Sequence, residues 1–296
     1  MLKDVLALLD DMENWKKDIS ESHIFAFTMD IDWASDIATE SAVGFFLDRD
    51  IPLTVYCTHP SPLLEKYKNN PLVHLGIHPN FLSDSSQGAT LQEVVDYLFN
   101  LLPDAVTMRC HRWFSDNDIY ELLIPRGILF DSNEISMMDV LPPHINRAGI
   151  LSFPVCWEDG AYLWHNFPLD FGELGLRTFR KPGLKVINCH PMHLALNTPD
   201  FKWTRSFKDS LSRERYSSLS REDLDAAAWS GKGIRNFIED MAEYSAASGA
   251  TRVLLKDLYD SSPLGAARSR GSRFWRERKT DENASAESSV FTTELD

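Results

Sequence analysis

Residues 23–58, "HIFAFTMDIDWASDIATESAVGFFLDRDIPLTVYCT", decide how the chain is read. The opening apolar run is that of a buried strand, and it ends in two aspartates, Asp30 and Asp32. Residues 36–50 then set Ala, Val, Phe and Leu at helical spacing. Residues 51–58 return to an apolar, β-prone run. Strand, helix, strand in so short a length marks an α/β fold.

The alternation continues outward to about residue 255. Residues 60–70 read as a helical crossover and 71–78 as a third strand. Residues 90–103 form a helix whose Thr90 and Glu93 have capping-box spacing. Strands are expected over 105–111, 128–133, 149–159 and 183–191, with a helix over 116–127. The pattern fits a barrel or a doubly wound sheet and does not choose between them. Beyond Pro199 the chain turns polar and reads as a surface excursion, before a helix over 233–250 and a strand or helix start over 251–259. Three regions follow: an amphipathic helix over 1–22, a main domain over 23–260, and a tail over 261–296 with the composition of disorder.

The net charge of −14, without a basic run in the first 200 residues, argues against nucleic acid or an anionic membrane as partner. No apolar run has the length of a transmembrane segment, about 20 residues. The start has no signal-peptide pattern, so a cytoplasmic protein is expected. Cys57, Cys110, Cys156 and Cys189 are widely spaced and read as free buried thiols.

In α/β folds, functional side chains collect at the carboxyl ends of strands. Here those ends carry Asp30 and Asp32, then His78, Arg109 and His111, Asp131 and Asn133, and finally His190 and His193. Aspartates two apart on an extended chain point to one side. One could bind a cation while the other serves as a base; equally, Asp32 could cap the next helix and Asp30 pair with Arg109. Histidines beside them favour zinc, iron, cobalt or nickel over magnesium.

The segments "FTMDID", "LGIHPNF", "MRCHRW", "LFDSN" and "VINCHP" resemble, in order and approximate spacing, the polysaccharide deacetylases, the NodB-homology proteins of carbohydrate esterase family 4. The resemblance spans roughly residues 23–255. It implies a distorted (β/α) barrel of about seven strands that hydrolyses acetyl groups on sugars with a divalent metal, most simply zinc. It further implies Asp30 as general base, Asp32 as metal ligand, Arg109 as the residue orienting the base, and His190 as general acid. Asp131 falls near the family's fourth motif.

The family's second motif has two histidines four apart, and "HLGIH" has that spacing. On a strand, however, residues four apart are separated by about 13 Å. Two donors on one zinc lie within about 4 Å of each other. His78 is therefore the expected ligand and His74 a neighbour, since Gly76, Val73 and Ile77 argue against a helical turn. His111 is the best remaining donor, with His74 and Asn80 as alternatives. Trp113, Trp157, Trp164 and Phe167 read either as a sugar-stacking rim or as core, His193 as a cleft residue or a loop cap, and Glu158–Asp159 as a solvated turn. The expected function is metal-dependent removal of an acetyl group from an amino sugar or polysaccharide precursor. Two alternatives stand beside it: another metal-dependent amide or ester hydrolase, and a non-catalytic carbohydrate-binding relative.

Overall fold

The structure, a computed structural model, describes residues 2–269. Its sheet contains β1 (His23–Asp30), β2 (Leu53–Cys57), β3 (Val73–Ile77), β4 (Thr107–Met108), β5 (Phe130–Asp131), β6 (His144–Ile145), β7 (Leu151–Ser152), β8 (Val155–Glu158), β9 (Gly183–Cys189) and β10 (Thr251–Arg252). From β1 the order runs through β2, β3, β4 and β5 to β7, and on the other side through β9 to β8. All of these pairs are parallel, and β6 adds an antiparallel edge to β7. β7 and β8 are the two halves of one segment, interrupted at Phe153 and Pro154. The first half pairs with β5 and the second with β9, so the covalent chain returns the sheet to its start. The result is a distorted (β/α) barrel.

The alternation along β1 shows how the interior is made. Phe25, Phe27 and Met29 pack outward with Val43, Phe46, Phe237 and Met241 of the helices Asp36–Leu47 and Ile234–Ala247. Ile24 and Ala26 belong to a second cluster with Val155, Leu184 and Val186 of neighbouring strands. The same face continues upward as Thr28 and Asp30, and on β9 as Asn188 and then His190. The barrel is thus apolar below and polar at the carboxyl end, which is where the site lies.

The lower end is closed by the N-terminal helix Leu2–Glu21, whose Met12 and Ile19 are buried against Leu255, Leu258 and Leu264. The expected disordered tail needs one correction. Pro263–Ser269 is a helix with Leu264 and Ala267 buried, because these residues help cover that end of the core. Residues 270–296 lie outside the described residues. The polar stretch after Pro199 is a surface excursion with regular structure. It folds as Phe201–Asp209, Arg213–Ser217 and Arg221–Ala227, capped by Asp200, Ser212 and Ser220.

Gly76 marks a close approach between neighbouring strands. A Cβ there would sit 2.6 Å from Thr107 Cγ2 and 2.9 Å from the Tyr56 ring. Overpacking of this kind costs about 1–3 kcal/mol. Gly76→Ala is therefore expected to lose that much unfolding free energy in a urea titration, with a lowered midpoint. Gly44→Ala, on an open helix face with nothing within 4 Å, should hold or raise it. Equal midpoints for the two variants would refute the close approach.

Candidate active site

The upper interior is organised by Arg109, whose side chain is fully buried. Its Nη1 donates to Asp30 Oδ1 at 2.9 Å, Thr28 Oγ1 at 2.9 Å and Asn188 Oδ1 at 2.6 Å. Nε donates to the Ser132 carbonyl and Nη2 to Ser132 Oγ, each at 2.7 Å. The guanidinium lies 4.4 Å from the centre of the Tyr56 ring. A buried charge requires such complete pairing. Asn188 Nδ2 donates to the other Asp30 oxygen at 2.8 Å. Asp30 therefore has a fixed orientation and still opens on the cavity.

Asp32 lies one turn beyond, with φ of 41°. It does not cap the following helix, because Ser35 does. Its Oδ1 is 3.2 Å from His78 Nε2 and 2.9 Å from His111 Nδ1. His78 follows β3 directly, while His111 opens the turn His111–Trp113 after β4. One donor atom from each of these three residues lies within 4.8 Å of the others. Burial pushes the Asp32 carboxyl up, but His111, His78 and His190 override it and hold the group well below the usual carboxylate range. His78 Nδ1 is buried without a hydrogen-bond partner among the described residues, 3.9 Å from Asp30 Oδ1. Two imidazoles and a carboxylate at this spacing form a donor set suited to zinc or a similar borderline cation.

His190 faces this group from β9, its Nε2 3.8 Å from Asp32 Oδ2. Its Nδ1 meets Asp159 Oδ1 at 2.6 Å, and its backbone N–H donates to Asp159 Oδ2 at 2.7 Å. Burial alone would lower the His190 pKa; the Asp159 carboxylate, aided by Asp32 and Glu158, raises it well above the ordinary imidazole value. For Asp159, burial is likewise overridden by His190 and His193, and its pKa is lowered. His193 Nδ1 is 3.2 Å from the same Asp159 oxygen.

Asp30, Asp32, His78, His111 and His190 line one cavity of about 530 Å³, with Arg109 buried behind Asp30. His193, Trp113 and Trp164 line it as well. Trp157 is core, and Phe167 packs on Tyr162. His74 stays away from the cavity and lies along the Phe130 ring, its pKa lowered to about 4 by burial. Asn80 spends its side-chain oxygen on the Leu82 N–H at 3.2 Å. Asp131 is buried under Ser152, Tyr120 and Asn146, and Asn133 braces the Cys110 N–H; neither lines the cavity.

The residue that the sequence reading passed over is Asp159. "VCWED" is a strand end like the others, and the rule that found His78 and His111 would have found it. An acidic pair before a glycine has the composition of a solvated turn, yet Asp159 is fully buried. Asn188 was also passed over, although it lies two residues before His190 and so on the same side of the strand. The cavity wall of Phe201, Thr204, Lys208 and Tyr216 comes from the polar stretch that gave no functional signal.

Comparison with known proteins fits this arrangement. The chain resembles a Bordetella bronchiseptica protein assigned as a polysaccharide deacetylase involved in O-antigen biosynthesis, at 26% identity and a TM-score of 0.67. The match covers 79% of this chain and 96% of that one. A Mycobacterium smegmatis structure assigned as a polysaccharide deacetylase aligns at 17% identity with a TM-score of 0.39, over 79% of this chain and 94% of that one. No curated protein sequence matches. Residues 27–207 match the WbmS-like polysaccharide deacetylase family, and they contain every residue from Asp30 to His193 described above. The chain belongs to that family of polysaccharide deacetylases.

Proposed function

We propose that the chain is a metal-dependent hydrolase that removes an acetyl group from an amino sugar or a surface-polysaccharide precursor. One observation carries the reading. A three-residue donor set, an aspartate held by an arginine, and a histidine held by an aspartate face one another across one cavity. Asp32, His78 and His111 would hold the cation. A divalent cation there supplies Lewis acidity to the acetyl carbonyl and to water.

The remaining chemistry belongs to the chain. Asp30 accepts the proton of the attacking water. Arg109 and Asn188 each occupy one lone pair of its carboxylate, which leaves others free to act. His190 has its Nδ1 fixed on Asp159, so its Nε2 is the nitrogen that donates a proton to the departing amine or hydroxyl. The assignment of the Bordetella relative to O-antigen biosynthesis supports looking for the substrate among surface-polysaccharide precursors.

The test is metal content together with acetate release. Protein purified without chelator or nickel resin should carry about one equivalent of zinc or a similar ion. His111→Ala should lose it and His74→Ala should keep it, as read by elemental analysis. Added zinc should raise the melting temperature of the stripped protein, by mass action on the native state. No bound ion and an unmoved melting temperature would leave the non-catalytic, carbohydrate-binding alternative in its place.

A further inference from the structure

We propose that Arg112 and Lys208 form an anion-recognising subsite on the cavity rim, and that the saccharide bound there carries a carboxylate or phosphoryl group. The inference rests on the hydrolase reading for what the substrate is, and adds a specificity to it. The carboxylates of the cavity floor already have partners, Asp30 in Arg109 and Asp32 in His78 and His111, whereas Arg112 and Lys208 bring exposed positive charge to the same cavity. An anionic group on the ligand is the complement of such charge.

Both cations line that cavity, and both are exposed. Among the described residues neither forms an ion pair with a carboxylate. Two nearby cations, Arg205 and Arg215, are matched to Asp209 and Asp223. Arg112 and Lys208 are the arginine and the lysine that line the cavity, and both bring an unmatched charge to it.

Each is also placed. Lys208 Nζ rests 5.2 Å from the centre of the Tyr216 ring, another cavity residue, a contact that orients an ammonium without neutralising it. Its helix is fastened to the opposite wall through Phe201, which meets the Trp164 ring edge-on at 4.6 Å. Arg112 has φ of 54° and Trp113 φ of 58°, a left-handed turn that non-glycine residues adopt only when the surroundings hold it. That turn follows His111 directly, so Arg112 lines the cavity next in sequence to a proposed cation ligand. A planar guanidinium and a point-like ammonium suit carboxylate and phosphoryl oxygens alike.

The test uses three probes on zinc-loaded protein carrying Asp30→Asn, which slows turnover enough for titration calorimetry to read binding. The probes are N-acetylglucosamine, N-acetylglucosaminuronic acid and UDP-N-acetylglucosamine. At least one anionic probe should bind about tenfold or more tighter than the neutral sugar, the scale of one charge-assisted hydrogen bond. Adding Lys208→Ala or Arg112→Ala should collapse that ratio, and Lys208→Arg should restore it. Lys202→Ala, on the same helix but outside the cavity, should leave it intact. Preference for the uronic acid alone identifies a sugar carboxylate, and preference for the nucleotide sugar alone identifies a phosphoryl group. Equal affinities, no binding of any probe, or a preference untouched by either alanine overturns the subsite. Acetate release by the wild-type chain is scored separately. Anion preference without acetate release from any probe would overturn the hydrolase reading and leave the subsite standing.

Discussion

Asp30→Asn is expected to lower the rate of acetate release by about 10²–10⁴-fold, the usual contribution of a general base, while metal content stays at its wild-type level. The substitution keeps the shape of the side chain and removes its basicity. Its danger is structural, because Asp30 pairs with a fully buried guanidinium. Deleting one partner of a buried ion pair outright costs about 3–5 kcal/mol. Asparagine softens that cost, since its carbonyl oxygen can still accept from Arg109 Nη1. Its amide nitrogen would then face Asn188 Nδ2, two donors in contact, and turning the Asn188 amide over would only move the clash to Arg109 Nη1, which donates to Asn188 Oδ1. A lowered melting temperature with a retained cooperative transition is therefore part of the expected result. Retained acetate release would show that another group takes the proton. Loss of the metal along with the activity would show that Asp30 is a ligand and not a base.

The legible part of this fold was the part governed by local chemistry. The β1 run, the Ser35-capped helix after it, and the Thr90–Glu93 capping box all depend on residues within a few positions of one another. Convergence on the cavity was legible to the extent that strand ends converge in any barrel, and this brought Asp30, Asp32, His78, His111 and His190 together with Arg109. The same rule misplaced Asp131. Whether a strand-end carboxylate faces the cavity or is used up by its own loops is settled by Tyr120, Asn146 and Ser152, 11 to 21 residues away. Asp159 failed in the opposite direction. An acidic pair before a glycine looks solvated until the segment after β9 lays His190 and His193 over it from 31 or more residues on. The three short helices after Pro199 have readable caps, but their polar composition hid the apolar stripe of Trp203, Phe207 and Leu211 that packs on Met192 and Leu196.

Asp159→Asn is expected to move the alkaline limit of activity to lower pH, because Asp159 is the chief reason that His190 stays protonated. Burial works against the imidazolium, and three carboxylates work for it. A cation on Asp32 would cancel that carboxylate's share, and the Glu158 carboxyl is itself pushed up by burial. Asp159 is then the anion that remains, hydrogen-bonded to His190 at 2.6 Å. A general acid works only while protonated, so the wild-type rate should hold upward through neutral pH and fall once pH passes the raised His190 pKa. Without Asp159, burial prevails and the fall should begin below the ordinary imidazole value of about 6.5. At pH 8 the variant should be slower by about 10²-fold or more, within the range of a general acid's contribution, and the gap should narrow as pH is lowered.

The stability of the pair follows the same signs. The His190 contribution is complete below its unfolded pKa and is lost as pH rises through the folded one. The Asp159 contribution is present above its unfolded pKa and is lost as pH falls through the depressed folded value. The wild-type chain should therefore exceed the variant in melting temperature most clearly between those limits, around neutral pH. His193→Ala removes the second imidazole near Asp159 without touching the His190 contact, and so should leave the alkaline limit near its wild-type position. A variant Asp159→Asn with an unmoved alkaline limit would sink the proton-donor role assigned to His190, whatever happened to its rate.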